Sequence, residues 1–343
     1  MKNQFTFVFA LTLVTGLFTL SGSHAQAQSY RLWTKQFASS SKCRSYSAVT
    51  GPENFQKTIR GFKWPMPKGS GIEFIDRTIK HLNAAAAGRA NDKVLLARLL
   101  AAANSNAYTR NDFESRGGAS PSFEQSILIR AVAQAVSYLR SRDAISSAEI
   151  KTVDKWVRKL LKTQSAKAYS LDHKASVYSA EISWGAAIGD KALFQRGFNK
   201  INSVLGKLKS KPYFESNVRV NNEVIPVLII GMHVLRLNGV DLFSKKYGKH
   251  SFHDAILHHA NWVSSTGTKK IVGDPIADPV ARSIMKSDGA GTHQAWIPVY
   301  LAHFPKSHAA PAVRALHKKV KSAQNIPYYG RNMGIHASCY FGL

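Results

Sequence analysis

The chain has 343 residues, with 47 Lys and Arg against 20 Asp and Glu, a formal net charge of +27. A surplus of that size suits a polyanionic partner, and on charge alone nucleic acid, acidic polysaccharide and an anionic membrane surface all qualify, beside the plainer alternative of a generally basic surface. No zinc-finger spacing and no ribonucleoprotein aromatic motif is present, which excludes the common nucleic-acid recognition modules.

Residues 1–27 have the form of a signal peptide. Lys2 precedes an apolar run from Phe5 to Leu20, and Ala25-Gln26-Ala27 gives an A-x-A cleavage pattern. The run is short for a membrane-spanning helix and no later stretch is expected to span, so the mature chain, residues 28–343, is expected to be periplasmic or secreted without an integral membrane segment. Loss of Lys2 leaves it at +26. Export argues against nucleic acid as the partner. It also favours a disulfide between the only two cysteines, Cys43 and Cys339, which would join the two ends of the mature chain. No CxxC or Cys-His cluster points to zinc, and the histidines at 250, 253, 258 and 259 lack carboxylates arrayed with them in a known ligand motif; they are expected on a solvent-facing helix, with no metal and no cofactor.

Between these ends the apolar periodicity is helical. Helical segments are predicted over about 71–87 and 91–104. A polar stretch over 105–121, with Gly117-Gly118 and Pro121, then reads as a long loop. Phe123, Ile127, Val132, Val136 and Leu139 fall on one helix face, and Ile150, Val153, Val157 and Leu160 on the next, with Ser147 as its expected N-cap. Further helices are predicted over about 174–188, 191–208, 220–237, 251–263, 293–304 and 310–322. A second irregular stretch, 267–292, carries Asp274-Pro275, Asp278-Pro279 and Gly289-Ala290-Gly291. No alternating strand pattern, linker or fixed repeat is evident, so the chain reads as a single all-α domain of stacked helical hairpins.

Two segments resemble the alginate-lyase-type polysaccharide lyases. From His173 the chain runs HKASVYSAEISWGAAIGDKALF, similar to the family segment in which an Asn-His pair opens an Ala- and aromatic-rich helix and a short turn leads to Leu-Phe, here Leu193-Phe194. Asn238-Gly239-Val240-Asp241-Leu242 resembles the family's turn after a long apolar helix. The resemblance implies an incomplete (α/α) toroid with a central groove. It also implies β-elimination on a uronate polymer: the C5 proton is removed and the bond from C4 to the glycosidic oxygen breaks. Such a site needs a group that neutralises the carboxylate, a base at C5 and an acid at the leaving oxygen.

Carried over residue by residue, the resemblance makes His173 the base or neutralising group. Asp172 stands where the family has Asn, and as an ionised carboxylate it would repel a uronate; either it is protonated, or it orients His173, or the substrate is held differently from the family, or it is an N-cap of a helix beginning near Lys174. The family's Arg is matched by Arg219, but the residue seven positions on, where a catalytic Tyr is implied, is Pro226. Tyr213 and Tyr178 are the expected substitutes. Asn222, Glu223, His293 and Trp296 complete the expected groove, Trp296 as a stacking face for sugar or a core side chain. Two other functions stay open: a noncatalytic acidic-polysaccharide-binding or export-assisting protein, and a glycoside hydrolase using carboxylates such as Asp172, Glu181 or Glu223.

Overall fold

Short polar side chains set where the helices start. In the computed structural model, which describes residues 54–59, 68–111, 121–165, 170–266, 294–322 and 333–334, Ser70 Oγ accepts from the Glu73 backbone N–H at the start of helix α1 (Gly71–Ala86). Asn91 does the same for α2 (Asp92–Asn104), and Asp190 for α6 (Lys191–Leu205). At α4 (Ser147–Ser165) the cap lies one residue earlier than expected. Ser146, not Ser147, accepts from the Glu149 N–H, and the Glu149 carboxylate accepts in return from the Ser146 N–H at 2.7 Å, a reciprocal capping box.

The remaining helices are α3 (Pro121–Ser141), α5 (Leu171–Ile188), α7 (Val218–Leu237), α8 (Phe252–Thr266), α9 (Trp296–His303) and α10 (Ala310–Ser322). Two-residue strands β1 (Thr58–Ile59) and β2 (Arg110–Asn111) pair in parallel; β3 (Lys246–Tyr247) and β4 (His250–Ser251) pair antiparallel. The described fold is all-α, as the periodicity predicts.

The helices form two layers. The inner row runs α1, α3, α5, α7 and α9, each packed on the next; α2 and α4 pack together outside it, α6 lies against α5, and α8 packs on α7 and α10. Composition explains the sorting. The inner helices α3 and α5 carry apolar and small residues on nearly every face and are buried almost throughout, whereas α4 and α6 expose Lys and Arg on one side only. The α5–α6 hairpin is close because of Gly185 and Gly197: a Cβ on the first would lie 2.7 Å from the Phe194 backbone N, and on the second 2.7 Å from Ile182 Cγ1. Gly189, at φ 79°, ends α5 and lets the chain turn into the Asp190 cap.

Three expectations need correcting. The polar stretch beginning at 105 is not wholly a surface loop, since Tyr108 is fully buried and donates to the Gly69 carbonyl at 2.9 Å. A later stretch does reach spanning length: Val220–Leu237 is 18 residues with mean hydropathy 1.3, but 78% of it is buried inside the protein, which makes α7 a core helix. The solvent-facing assignment also fails for His259, which is 2% exposed. The expected signal segment 1–27, Cys43 and Cys339 lie outside the described residues.

Candidate functional site

The site is built on the first turn of α5 and the second turn of α7. Helix α5 begins at Leu171, earlier than expected, so Asp172 is a first-turn residue and not the N-cap; Ser170 holds the cap position and makes no side-chain cap bond. A carboxylate in the first turn faces the positive end of the helix dipole. The Asp172 side chain is 3% exposed and that of His173 16%, with His173 Nε2 3.7 Å from Asp172 Oδ2. That separation is too long for a hydrogen bond and short enough for a strong charge interaction. On its other side the imidazole packs against Phe123 of α3, ring centres 5.7 Å apart.

Glu223 of α7 lies beside Asp172. Burial pushes the Asp172 pKa up, but Glu223, the charge of a protonated His173, the Ser170 hydroxyl and the His173 backbone N–H outweigh it and hold Asp172 below the ordinary carboxylate range. Asp172 is therefore an anion. The result is a row of groups from α7 to α5: Glu223, the Asp172 carboxylate and the His173 imidazole.

Asn222, beside Glu223, is 1% exposed. Its Oδ1 accepts from His259 Nε2 of α8 at 3.1 Å and from Gln294 Nε2, just before α9, at 3.2 Å. Because an amide oxygen only accepts, Nε2 is the protonated nitrogen of His259. Burial and the neighbouring His258 push the His259 pKa down to about 3, so the ring is neutral. Trp296 is fully buried 6.0 Å from that ring. Asn222 and Trp296 thus tie α7, α8 and α9 together behind Glu223; neither offers a face to a sugar, and Trp296 takes its core role.

Of the other expected site residues, Tyr178 lies on α5 but lines a pocket on the α6 side, with Lys200 Nζ 5.0 Å from its ring centre. Tyr213 stacks on His258 at 5.0 Å and lines a pocket with Asn261 and Trp262. Arg219 is the second residue of α7, one turn before Glu223, and its side chain lies outside the described residues, as does His293. Glu181 is 2% exposed in its side chain and held by Arg196 and Lys200 of α6. Among the described residues no three His, Cys, Asp or Glu side chains converge as a metal site. The sequence offers no signal for the approach of Glu223 to Asp172 or for the His259–Asn222 brace, because the partners stand on different helices.

No family model and no curated protein matches the chain. Solved structures do. The chain is similar to alginate lyase A1-III in a tyrosine-to-phenylalanine variant complexed with tetrasaccharide, at TM-score 0.60 and 14% identity, covering 92% of this chain and 91% of that one. A histidine-to-alanine variant complexed with tetrasaccharide gives TM-score 0.59 at 14% identity, covering 92% and 91%. Alginate lyase A1-III from Sphingomonas species A1 gives 0.58 at 13%, covering 92% of each chain. This protein has the alginate-lyase fold, the α/α toroid implied by its two sequence anchors.

Proposed function

We propose that the protein is a polysaccharide lyase that cleaves an acidic, uronate-containing polysaccharide by β-elimination. The observation that carries this reading is the placement of His173 on an inner helix of an alginate-lyase fold, against the buried Asp172 carboxylate with Glu223 beside it. The solved neighbours that hold a tetrasaccharide support a saccharide as the ligand. A leader at 1–27, a single mature domain at 28–343, a Cys43–Cys339 bridge and a periplasmic or secreted location belong to the same proposal.

In this mechanism Arg219 pairs with the uronate carboxylate and withdraws charge from C5. The neutral His173 imidazole takes the C5 proton, and the Asp172 carboxylate stabilises the imidazolium that forms. The electron pair from C5 makes the C4–C5 double bond as the bond from C4 to the glycosidic oxygen breaks. Glu223 delivers its proton to that oxygen, filling the place left by the missing helix tyrosine. His173 then returns its proton to the carboxyl pair, so the site closes its cycle without a cofactor.

The hydrolase alternative fits less well. Its two carboxyl groups must stand about 5 Å or more apart across the glycosidic bond, whereas Asp172 and Glu223 lie side by side and Glu181 is locked against α6. The discriminating experiment presents purified protein with a panel of polyuronates and follows both ultraviolet absorbance and reducing ends. Absorbing product is the expected result. Reducing ends without absorbance would establish hydrolysis, and binding without either product would establish the noncatalytic alternative.

A further inference from the structure

A pocket of about 590 Å³ opens between α5, α6 and the start of α7, within the size range of about 300–1,000 Å³ typical of small-ligand sites. Lys174, Tyr178, Lys200 and Lys207 line it, and so do Ser170 and Leu171 at the start of α5. We propose that this pocket is a second saccharide site, separate from the His173 centre, that takes a carboxylated sugar residue of the same acidic chain. The choice of a carboxylated ligand rests on the polyuronate reading above.

Helix geometry separates the two sites. One residue along α5 is a rotation of about 100°, so His173 faces Phe123 of α3 while Lys174, and Tyr178 one turn later, face α6. They nevertheless share the start of α5, so an extended chain lying across that helix end can touch both.

Charge favours a carboxylate over a neutral sugar. Lys200 pairs with Glu181, 3.1 Å behind it, but shares that carboxylate with Arg196, and Lys207 pairs with Glu215 at 3.0 Å. Lys174 lines the same pocket, is exposed, and has no carboxylate partner among the described residues. Its ammonium adds to the surplus positive charge of the pocket. Burial, with the nearby Glu181, raises the pKa of Tyr178 above its ordinary value, so the phenol stays protonated and available as a donor to a sugar oxygen. The two paired lysines stiffen the walls, and Lys200 packs over the tyrosine ring.

The test is calorimetry with a uronate tetrasaccharide on the His173→Ala protein, which removes turnover. Two binding events are expected. Adding Lys174→Glu should remove one or weaken it by about tenfold or more, the scale of a lost charge-assisted hydrogen bond; Lys174→Ala should weaken the same event less. Lys174 is exposed, and an unchanged melting temperature verifies the fold of each variant. Affinities within twofold of the parent in Lys174→Glu, or equal occupancy by a neutral glucan tetrasaccharide, would overturn the site. The outcomes separate from those of the lyase reading. A Lys174-dependent event in a protein that releases no absorbing product keeps the site and removes the lyase; absorbing product with Lys174-independent binding does the reverse.

Discussion

His173 Nε2 stands 3.7 Å from Oδ2 of Asp172 on the first turn of α5, and Glu223 from the second turn of α7 helps hold that carboxylate below its ordinary range. The buried Asp172 charge is directed at His173 instead of at solvent, so it need not repel a uronate as an exposed carboxylate would. Asp172→Asn keeps the shape but removes the charge that stabilises the His173 imidazolium. The expected result in steady-state kinetics is kcat lower by about tenfold or more with KM within about threefold. An Asp172→Asn enzyme with unchanged kcat would show that the carboxylate has no part in the reaction.

Glu223→Gln tests the acid. An amide can still donate a hydrogen bond to Asp172 but has no proton to give the leaving oxygen. Turnover should fall by about 10²–10⁴-fold, and substrates with more acidic leaving groups should lose less. Equal losses on all leaving groups would place the acid elsewhere.

Helices were legible in the sequence because their apolar positions repeat and their caps are short polar residues. The α5 start was misplaced because Leu171-Asp172 carries no periodic signal ahead of the Ala-rich run. Trp296 was ambiguous for a different reason: an indole beside a helix start suits both sugar stacking and packing, and only its burial decides. The local segment around His173 pointed to the fold and to one site residue. Glu223 is a groove candidate in the sequence, but its place beside Asp172 depends on how α7 lies against α5, which no local pattern encodes. The absence of a tyrosine on α7 was plain from the sequence; what stands near His173 in its stead was not.

Buried His259 and His233 and half-buried His303 give the fold a defined acid sensitivity. Burial pushes the pKa of His259 down to about 3, that of His233 to about 3 and that of His303 to about 4, the last two helped by Arg236. Unfolded histidine titrates near about 6.5, so below that pH the unfolded chain binds protons that the folded chain refuses. Stability is full above about pH 6.5 and is lost as pH falls toward about 3–4, at up to about 1.4 kcal/mol per pH unit for each histidine. Melting temperatures across this window should fall for the parent and fall less steeply for His259→Gln. A parent that melts identically at about pH 7 and about pH 4 would contradict this.

The net charge of +27 predicts strongly salt-dependent binding. At physiological ionic strength the Debye length is already about 8 Å, so polyuronate affinity should drop further as salt is raised, and a neutral glucan should bind far less. Arg219→Ala should cost about tenfold or more in affinity at low salt, as expected for a lost guanidinium–carboxylate contact. Calorimetry at low and high salt reads both effects. Affinity independent of salt would remove the electrostatic case for an acidic substrate.

The central claim is that His173 moves the C5 proton, and the most direct measurement is the rate at which ultraviolet-absorbing product appears from a cleaved polyuronate, comparing the parent with His173→Ala. The account predicts a fall of about 10²–10⁴-fold with circular dichroism and melting temperature unchanged, since the side chain is partly exposed. A His173→Ala protein that releases absorbing product within about tenfold of the parent rate would contradict it.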